Sequence, residues 1–440
     1  RQRPSRARAG VRPAEPHRPV QRARRPLIDF DLPTELSDYL GELDRFIEAE
    51  IAPLEADNIE YFDHRREHAR TDWDNGGLPR PEWEALLGET MRRADAAGHL
   101  RYALPESVGG RGGSNLDMAV IREHLATRGL GLHNDLQNET SVVGNFPFVL
   151  MMLAKGTDAQ RAEFIDGAFD GTHLVAFGLT EPEHGSDATF LDTTAVRDAD
   201  EWVISGTKRF NTGMHRATHD MVFARTGGEA GDAEGITCFI VPTETPGVEI
   251  GTYWWTFNMP TDHPDVHFTD VRVGDDAVFG DVGRGLELAN IFVHENRIRQ
   301  AASSLGAAQY CIDEAARYAS ARAPFGRPLW KNQAIQFPLA ELQTEAAMLR
   351  ALIRQTAWRM DRHGAMDVTD AVSMCNYRAN RLVCNAADQA MQTCGGMGYT
   401  RHMPFEHIYR HHRRYRITEG SEEIQIRRVA GVMFGKRAKR

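Results

Sequence analysis

The chain has 440 residues, 41% hydrophobic and 26% charged; this is ordinary globular composition, with enough length for several cores. A net charge of −10 argues against a nucleic-acid partner, and no uninterrupted apolar run is long enough to cross a bilayer. Five cysteines (Cys238, Cys311, Cys375, Cys384 and Cys394) are odd in number and lack metal-ligand spacing, which fits buried thiols in a reducing compartment.

The first 25 residues hold nine arginines and one acid, Glu15. No apolar periodicity runs through them, so a disordered basic tail is expected over residues 1–32. Arg-rich, acid-poor composition has the look of a mitochondrial transit peptide. Pro4, Pro13, Pro16 and Pro19 would break a targeting helix, which favours a plain flexible tail and a cytoplasmic, bacterial location over the mitochondrial matrix.

Residues 33–171 read as helical, with seams such as Leu40-Leu43-Phe46-Ile47-Ile51 and a glycine-rich loop at Pro105–Gly113. Residues 172–282 change character. Short β-rich runs at Trp202–Ile204, Met221–Phe223, Ile236–Val241 and Val266–Phe268 are separated by Gly, Pro and Asp turns. Residues 283–440 are helical again. Leu339, Leu342, Ala346, Leu349, Ile353, Thr356 and Met360 follow one 3–4 spacing, and Val372, Cys375, Ala379, Leu382, Ala386 and Gln389 another. Ile291, Ile298, Leu305, Ile312 and Ala319 recur at sevens. The expected fold is a multi-domain α+β chain: an N-terminal α-helical domain, a middle β-barrel-like domain and a C-terminal four-helix bundle.

Five short segments carry the chemistry. Thr180-Glu181-Pro182-Glu183-His184-Gly185-Ser186-Asp187 offers hydroxyls and amides that could hold a heterocycle edge or a phosphate, or simply a polar loop. Lys208–Gly213 follows what reads as a Ser205-Gly206 turn and carries Phe210, an aromatic that could cover a flat cofactor or fill a core. Arg322–Arg327 ends a helix, where an arginine suits a pyrophosphate but also complements the helix dipole. Gln392–Tyr399 is a glycine-rich helix end, and it follows a helix where a Rossmann fingerprint would follow a strand. Last, Glu419-Gly420-Ser421 sets a carboxylate before a glycine at the mouth of a helix that Ser421 can cap. That equipment suits removal of a proton beside a carbonyl, although such a glutamate is often only structural.

In this order on a helix–sheet–helix chain, the five segments resemble the acyl-CoA dehydrogenase family of flavoproteins over roughly residues 33–434. The resemblance implies FAD as cofactor, an acyl-CoA substrate, electron-transfer flavoprotein or a similar acceptor as partner, and a homodimer or homotetramer. It implies that Leu179, Thr180 and Ser186 bind the isoalloxazine edge and nearby groups, and that Phe210 and Thr212 pack against the flavin near N5. Arg322, Phe325, Gln333, Gln392 and Gly396 would hold the ADP half, Arg322 reaching across from a second subunit, and Ser421 would contact the flavin. Glu419 would be the catalytic base, its backbone N–H and a ribityl hydroxyl polarising the thioester carbonyl, with Ser186, Arg297 and Gly420 also on the substrate side.

The chain departs from the family pattern at several points. Phe210 stands where tryptophan is frequent. Some members place the base on the helix beginning near Leu286, where Asn296 aligns here, and an amide cannot serve as that base. His411 stands where Asp is common, inside Arg410-His411-His412-Arg413-Arg414, a run expected on a solvated helix-end face. Gln137-Asn138-Glu139-Thr140, near the family's acyl pocket, points to a short or polar acyl chain or to helix surface. His215, His219, His263 and His267 show no metal-site pattern, and no metal is expected. Alternative readings are an acyl-CoA oxidase or flavin monooxygenase of the same fold, and a non-catalytic flavoprotein binding module.

Overall fold

The computed structural model describes residues 31–135 and 140–438. The basic tail up to residue 30 and the Gln137–Glu139 segment therefore lie outside the described residues.

Seven helices open the chain: α1 (Thr34–Phe46), α2 (Ala52–Ala56), α3 (Arg66–Arg70), α4 (Pro81–Ala96), α5 (Asn115–Thr127), α6 (Pro147–Lys155) and α7 (Asp158–Asp170). A two-stranded ribbon, β1 (Thr71–Asp72) with β2 (Leu78–Pro79), interrupts them. Ser114 and Thr157 each cap a helix through a reciprocal capping box, fixing the starts of α5 and α7.

Next come β3 (Val175–Gly178), β4 (Thr194–Asp198), β5 (Glu201–Arg209), β6 (His219–Arg225), β7 (Ile236–Pro242), β8 (Val248–Tyr253), β9 (Pro264–Val273) and β10 (Val278–Phe279). They form one sheet in the order β10-β7-β6-β4-β5-β9-β8, with β3 parallel to β6. Period-2 alternation sorts its side chains. Met221, Phe223, Ile236, Cys238 and Ile240 pack against α6, α7 and the start of the next helix. Val222, Ala224, Phe239 and Val241 pack on the opposite face. Ser205-Gly206, read from the sequence as a turn, lies inside β5 as a β-bulge against β9. Glycine is required there, because a Cβ would sit 2.4 Å from Thr193 Oγ1.

The C-terminal block is built from α8 (Gly285–Ala321), α9 (Gln333–His363), α10 (Thr369–Cys394), α11 (Phe405–Arg414) and α12 (Glu422–Ala438). The heptad residues Ile298, Leu305, Ile312 and Ala319 of α8 are buried, as are the α9 and α10 seams from Leu342 to Met360 and Val372 to Ala386. Small residues let α5 cross α8 closely: a Cβ on Gly306 would lie 2.4 Å from the Glu123 carbonyl oxygen. All five cysteines are free and buried.

The helix-end run around His411 differs from expectation. His411 and His412 are fully buried. His411 Nε2 lies 3.2 Å from Tyr415 Oη, and His412 Nδ1 lies 3.1 Å from Ser304 Oγ on α8. A helix packed on both sides leaves only part of a basic run to solvent, and here the two imidazoles face inward.

Candidate active site

Glu419 and Gly420 sit in the short link between α11 and α12, both with left-handed backbones (φ +56° and +84°). That conformation costs a non-glycine residue about 1–3 kcal/mol unless its surroundings enforce it. Here they do. Arg297 Nε donates to the Glu419 carbonyl oxygen at 2.8 Å, and Nη2 donates to the same atom. Gln425 Nε2 donates to the Gly420 carbonyl (3.0 Å) and to Asn376 Oδ1 (2.8 Å). Asn380 Nδ2 holds the Tyr415 carbonyl at 2.9 Å. Glu422 anchors the start of α12 by accepting from Arg416 (2.9 Å) and Arg381 (3.0 Å).

With its backbone fixed, the Glu419 carboxyl group has three neighbours that matter. Burial pushes its pKa up to about 7, opposed by the Arg297 charge, a hydrogen bond with Asn296 and the Arg414 charge. A carboxyl group poised near neutrality is the state a general base needs. Among the described residues, no acceptor engages the Glu419 backbone N–H, which leaves a donor free for a carbonyl oxygen.

Arg297 is 4% exposed and lies behind the Glu419 link, where two of its nitrogens grip the backbone carbonyl. Its Nη1 is buried without a partner. Gly420 packs directly against it, since a Cβ there would lie 2.8 Å from Arg297 Nη2.

The loop after β3 and the end of β5 form a second cluster. The Arg209 N–H donates to the Thr180 carbonyl at 2.8 Å, which ties the Leu179–Ser186 loop to the strand carrying Phe210. Beneath it Lys208 Nζ meets Glu181 Oε1 at 2.7 Å, both fully buried, while Glu181 also accepts from the Asp192 and Thr193 amides. Asn211 Nδ2 donates to Asp220, whose pKa burial pushes up to about 7. Phe210 has φ +65° and is 48% exposed. Thr212 and Ser186 are exposed, and Leu179 and Thr180 half-buried.

A third group sits at the far end of the bundle. Arg322 caps α8, Gln333 opens α9, and Gln392 and Gly396 flank the end of α10; all are exposed. Phe325 (φ +55°) is wholly exposed. Gln392 lines a groove with Asp388, Met391, Gly395 and Tyr399. From Arg297 to Ala321 the helix rises without a break through 24 residue steps, about 36 Å at 1.5 Å each. One chain therefore does not bring the Arg322 group to Glu419.

The donor types fit a dinucleotide flavin. Phe210 and Phe325 present aromatic faces that the single chain leaves open. Arg322 pairs with no carboxylate among the described residues, which suits a diphosphate. Of the histidines, His215 pairs with Glu84 at 2.7 Å, and His219 packs edge-on against Phe164. His263 pairs with Asp262 and His267 lies by Thr207. Among the described residues Glu181, His184 and Asp192 approach metal-like spacing. The Glu181 carboxylate there already accepts from Lys208 and two amides.

Sequence reasoning missed the partners that hold the Glu419 link. Asn376 and Asn380, one turn apart in the apolar seam of α10, were the available signal, because buried amides at that spacing demand partners. The Glu181–Lys208 pair spans 27 residues and has no local signature.

The family signature "Acyl-CoA dehydrogenase, N-terminal domain" matches residues 35–172, the middle-domain signature residues 176–271, and the C-terminal-domain signature residues 283–434. The chain belongs to the acyl-CoA dehydrogenase family, whose members are FAD-dependent oxidoreductases. It is similar to the 3-(aryl)acrylate reductase of Clostridium sporogenes, at 33% identity over 342 residues, covering 77% of this chain and 88% of the relative. It is equally similar to the mitochondrial short-chain specific acyl-CoA dehydrogenase of Bos taurus, at 33% over 342 residues (78% and 81%). Among solved structures, butyryl-CoA dehydrogenase from Megasphaera elsdenii superposes with a TM-score of 0.76 at 27% identity, over 92% of this chain and 100% of that one. No helix among the described residues is long and apolar enough to cross a membrane.

Proposed function

We propose that the protein dehydrogenates an acyl-CoA thioester to the trans-2-enoyl-CoA, with Glu419 as the base that takes the α-proton. The observation that carries this is a carboxyl group raised to about 7 by burial and fixed on a left-handed backbone whose own N–H remains free. That N–H supports the developing charge on the thioester oxygen, and one such donor is typically worth about 3 kcal/mol. Binding of the acyl chain expels water from around Glu419, which raises its affinity for a proton when the C–H bond breaks. FAD, held by the Leu179–Ser186 loop, Phe210 and Thr212 on one side and by the Arg322, Phe325, Gln333, Gln392 and Gly396 group of a second subunit on the other, would accept the β-hydrogen as hydride. The 36 Å span along α8 favours a dimer or higher assembly as the active unit. Electron-transfer flavoprotein or a similar acceptor would reoxidise the cofactor.

A panel of acyl-CoA thioesters added without oxygen to the FAD-loaded protein tests this reading. A fitting thioester bleaches the flavin absorbance; a panel with no bleaching member overturns it. A second reading, reduction of a conjugated enoyl substrate, is favoured by the Glu419 pKa of about 7, which lets the same carboxyl give a proton as readily as take one. A relative that reduces 3-(aryl)acrylates is consistent with it. Turnover of enoyl-CoA with a reduced donor, in the absence of saturated acyl-CoA oxidation, would establish that direction.

A further inference from the structure

The Leu179–Ser186 loop and the Phe210–Gly213 stretch meet over one buried polar pair. Asn211 is fully buried although its chain neighbours Phe210 and Thr212 are both exposed. Its Nδ2 donates to Oδ2 of Asp220, a β6 residue that is also buried. Strand β3 runs parallel beside β6, with Ala176 opposite Asp220, and ends at Gly178. A Cβ on Gly178 would lie 2.8 Å from Asn211 Nδ2 and 3.0 Å from each Asp220 carboxyl oxygen. The pair therefore lies directly against the residue from which the Leu179 loop departs. On either side of Asn211 the main chain is held: the Phe210 N–H donates to the Pro264 carbonyl at 2.9 Å, and the Gly213 N–H to the Asp262 carbonyl at 3.1 Å. Between those bonds, among the described residues, Asn211 and Thr212 make no backbone–backbone hydrogen bond. The Asn211 side chain is what ties this stretch to the sheet.

Stability alone does not account for the pair. Asn211 Oδ1 and Asp220 Oδ1 are both buried without a hydrogen-bond partner among the described residues. Unpaired buried acceptors oppose folding, and apolar side chains of similar size would fill the same space without that cost. Lys208 on β5, the cation whose charge reaches Asp220, has its ammonium 2.7 Å from Glu181. What a hydrogen bond supplies and an apolar contact lacks is direction. Turning Asn211 inward to a fixed acceptor sets which way Phe210 and Thr212 face. Phe210 is held there at φ +65°, a backbone that persists only where its surroundings enforce it.

We propose that Asn211 and Asp220 are positioning residues for the cofactor face. Their hydrogen bond holds Phe210 and Thr212 at the angle that presents them to the flavin, and their contact with Gly178 keeps that stretch in register with the Leu179–Ser186 loop. This rests on the reading that these two segments hold FAD.

Asn211→Leu combined with Asp220→Leu removes the bond and both unpaired oxygens at once. The full-length variant, freed of flavin and titrated with FAD, should bind about tenfold more weakly, and the visible circular dichroism of the bound flavin should lose roughly half its amplitude or more. Its melting temperature without FAD should equal or exceed that of wild type. Asp220→Asn keeps an acceptor for Asn211 Nδ2 and drops the charge, so it should bind FAD within about twofold of wild type and show the same dichroism. Asn211→Ser, too short to reach Asp220, reads the same loss should the leucine pair not fold.

Unchanged FAD affinity and dichroism in the leucine pair overturn the proposal, whatever its melting temperature. So does an Asp220→Asn variant as impaired as the leucine pair, since the charge rather than the bond would then be at work. Phe210→Ala separates the underlying reading. Full FAD affinity there would displace the flavin from this face, whereas weakened binding there beside an unchanged leucine pair sinks the positioning role alone.

Discussion

Arg297 Nε and the carbonyl oxygen of Glu419 lie 2.8 Å apart, and this contact ties the middle of a 37-residue helix to a two-residue left-handed link. The guanidinium is buried, so its removal would leave a desolvated carbonyl and a relaxed backbone. Arg297→Lys cannot reproduce the forked contact. It should cost about 1–3 kcal/mol of stability, with kcat down roughly 10²-fold as the base drifts from its aim. Thermal melting beside steady-state kinetics checks both, and an unchanged kcat would show that the link holds itself.

Glu422 gives a pH-dependent prediction. Hydrogen bonds from Arg416 and Arg381 hold its carboxyl down at about 2, against an ordinary value of 4.5. A depressed folded-state pKa contributes stability that is present above 4.5 and lost as pH falls toward 2. Glu422→Gln should therefore destabilise the protein by about 2 kcal/mol near neutrality. The gap from wild type should narrow as unfolding is followed from pH 5 downward and close only near pH 2.

Glu419 should behave in the opposite sense. Its folded pKa of about 7 lies above the ordinary 4.5, so ionisation on the rising limb opposes the fold. Glu419→Gln should match wild type in stability below pH 4.5 and exceed it by about 1–3 kcal/mol above pH 7, measured as denaturation midpoints across that range. A variant less stable than wild type at pH 8 would contradict the burial of this carboxyl.

Phe325 is wholly exposed in the single chain, among the described residues. Phe325→Ser should change the stability of the isolated fold by no more than about 0.5 kcal/mol, yet weaken FAD retention and assembly together. Gel filtration and sedimentation with and without added FAD would show this. Tight FAD binding by a dissociated Phe325→Ser chain would remove the second subunit from the cofactor site.

The sequence made the apolar seams legible because burial acts at each residue: Leu342 through Met360 and Val222 beside Phe223 reveal their faces by spacing alone. The unusual backbone at Glu419 and Gly420 was legible because a glycine at that point announces one. What the sequence hid was pairing at a distance. Gly206 signals a conformational need, but only its β9 partner shows that the need is a bulge. His411 and His412 read as a solvated run, since charge density is local whereas the Ser304 and Tyr415 contacts that bury them come from tertiary packing. The contact between Arg297 and the Glu419 carbonyl spans 122 positions of the chain, and nothing at either end declares the other.

The central claim is that the Glu419 carboxyl takes the α-proton of a bound thioester. Its most direct test is the rate of anaerobic flavin bleaching in FAD-loaded wild type and Glu419→Gln, mixed with the best thioester of the panel in a stopped-flow instrument. Wild type should bleach within a single turnover, and the glutamine variant should bind the same thioester and bleach more slowly by at least the roughly 10²–10⁴-fold expected of a lost general base. Bleaching at an undiminished rate would contradict the account.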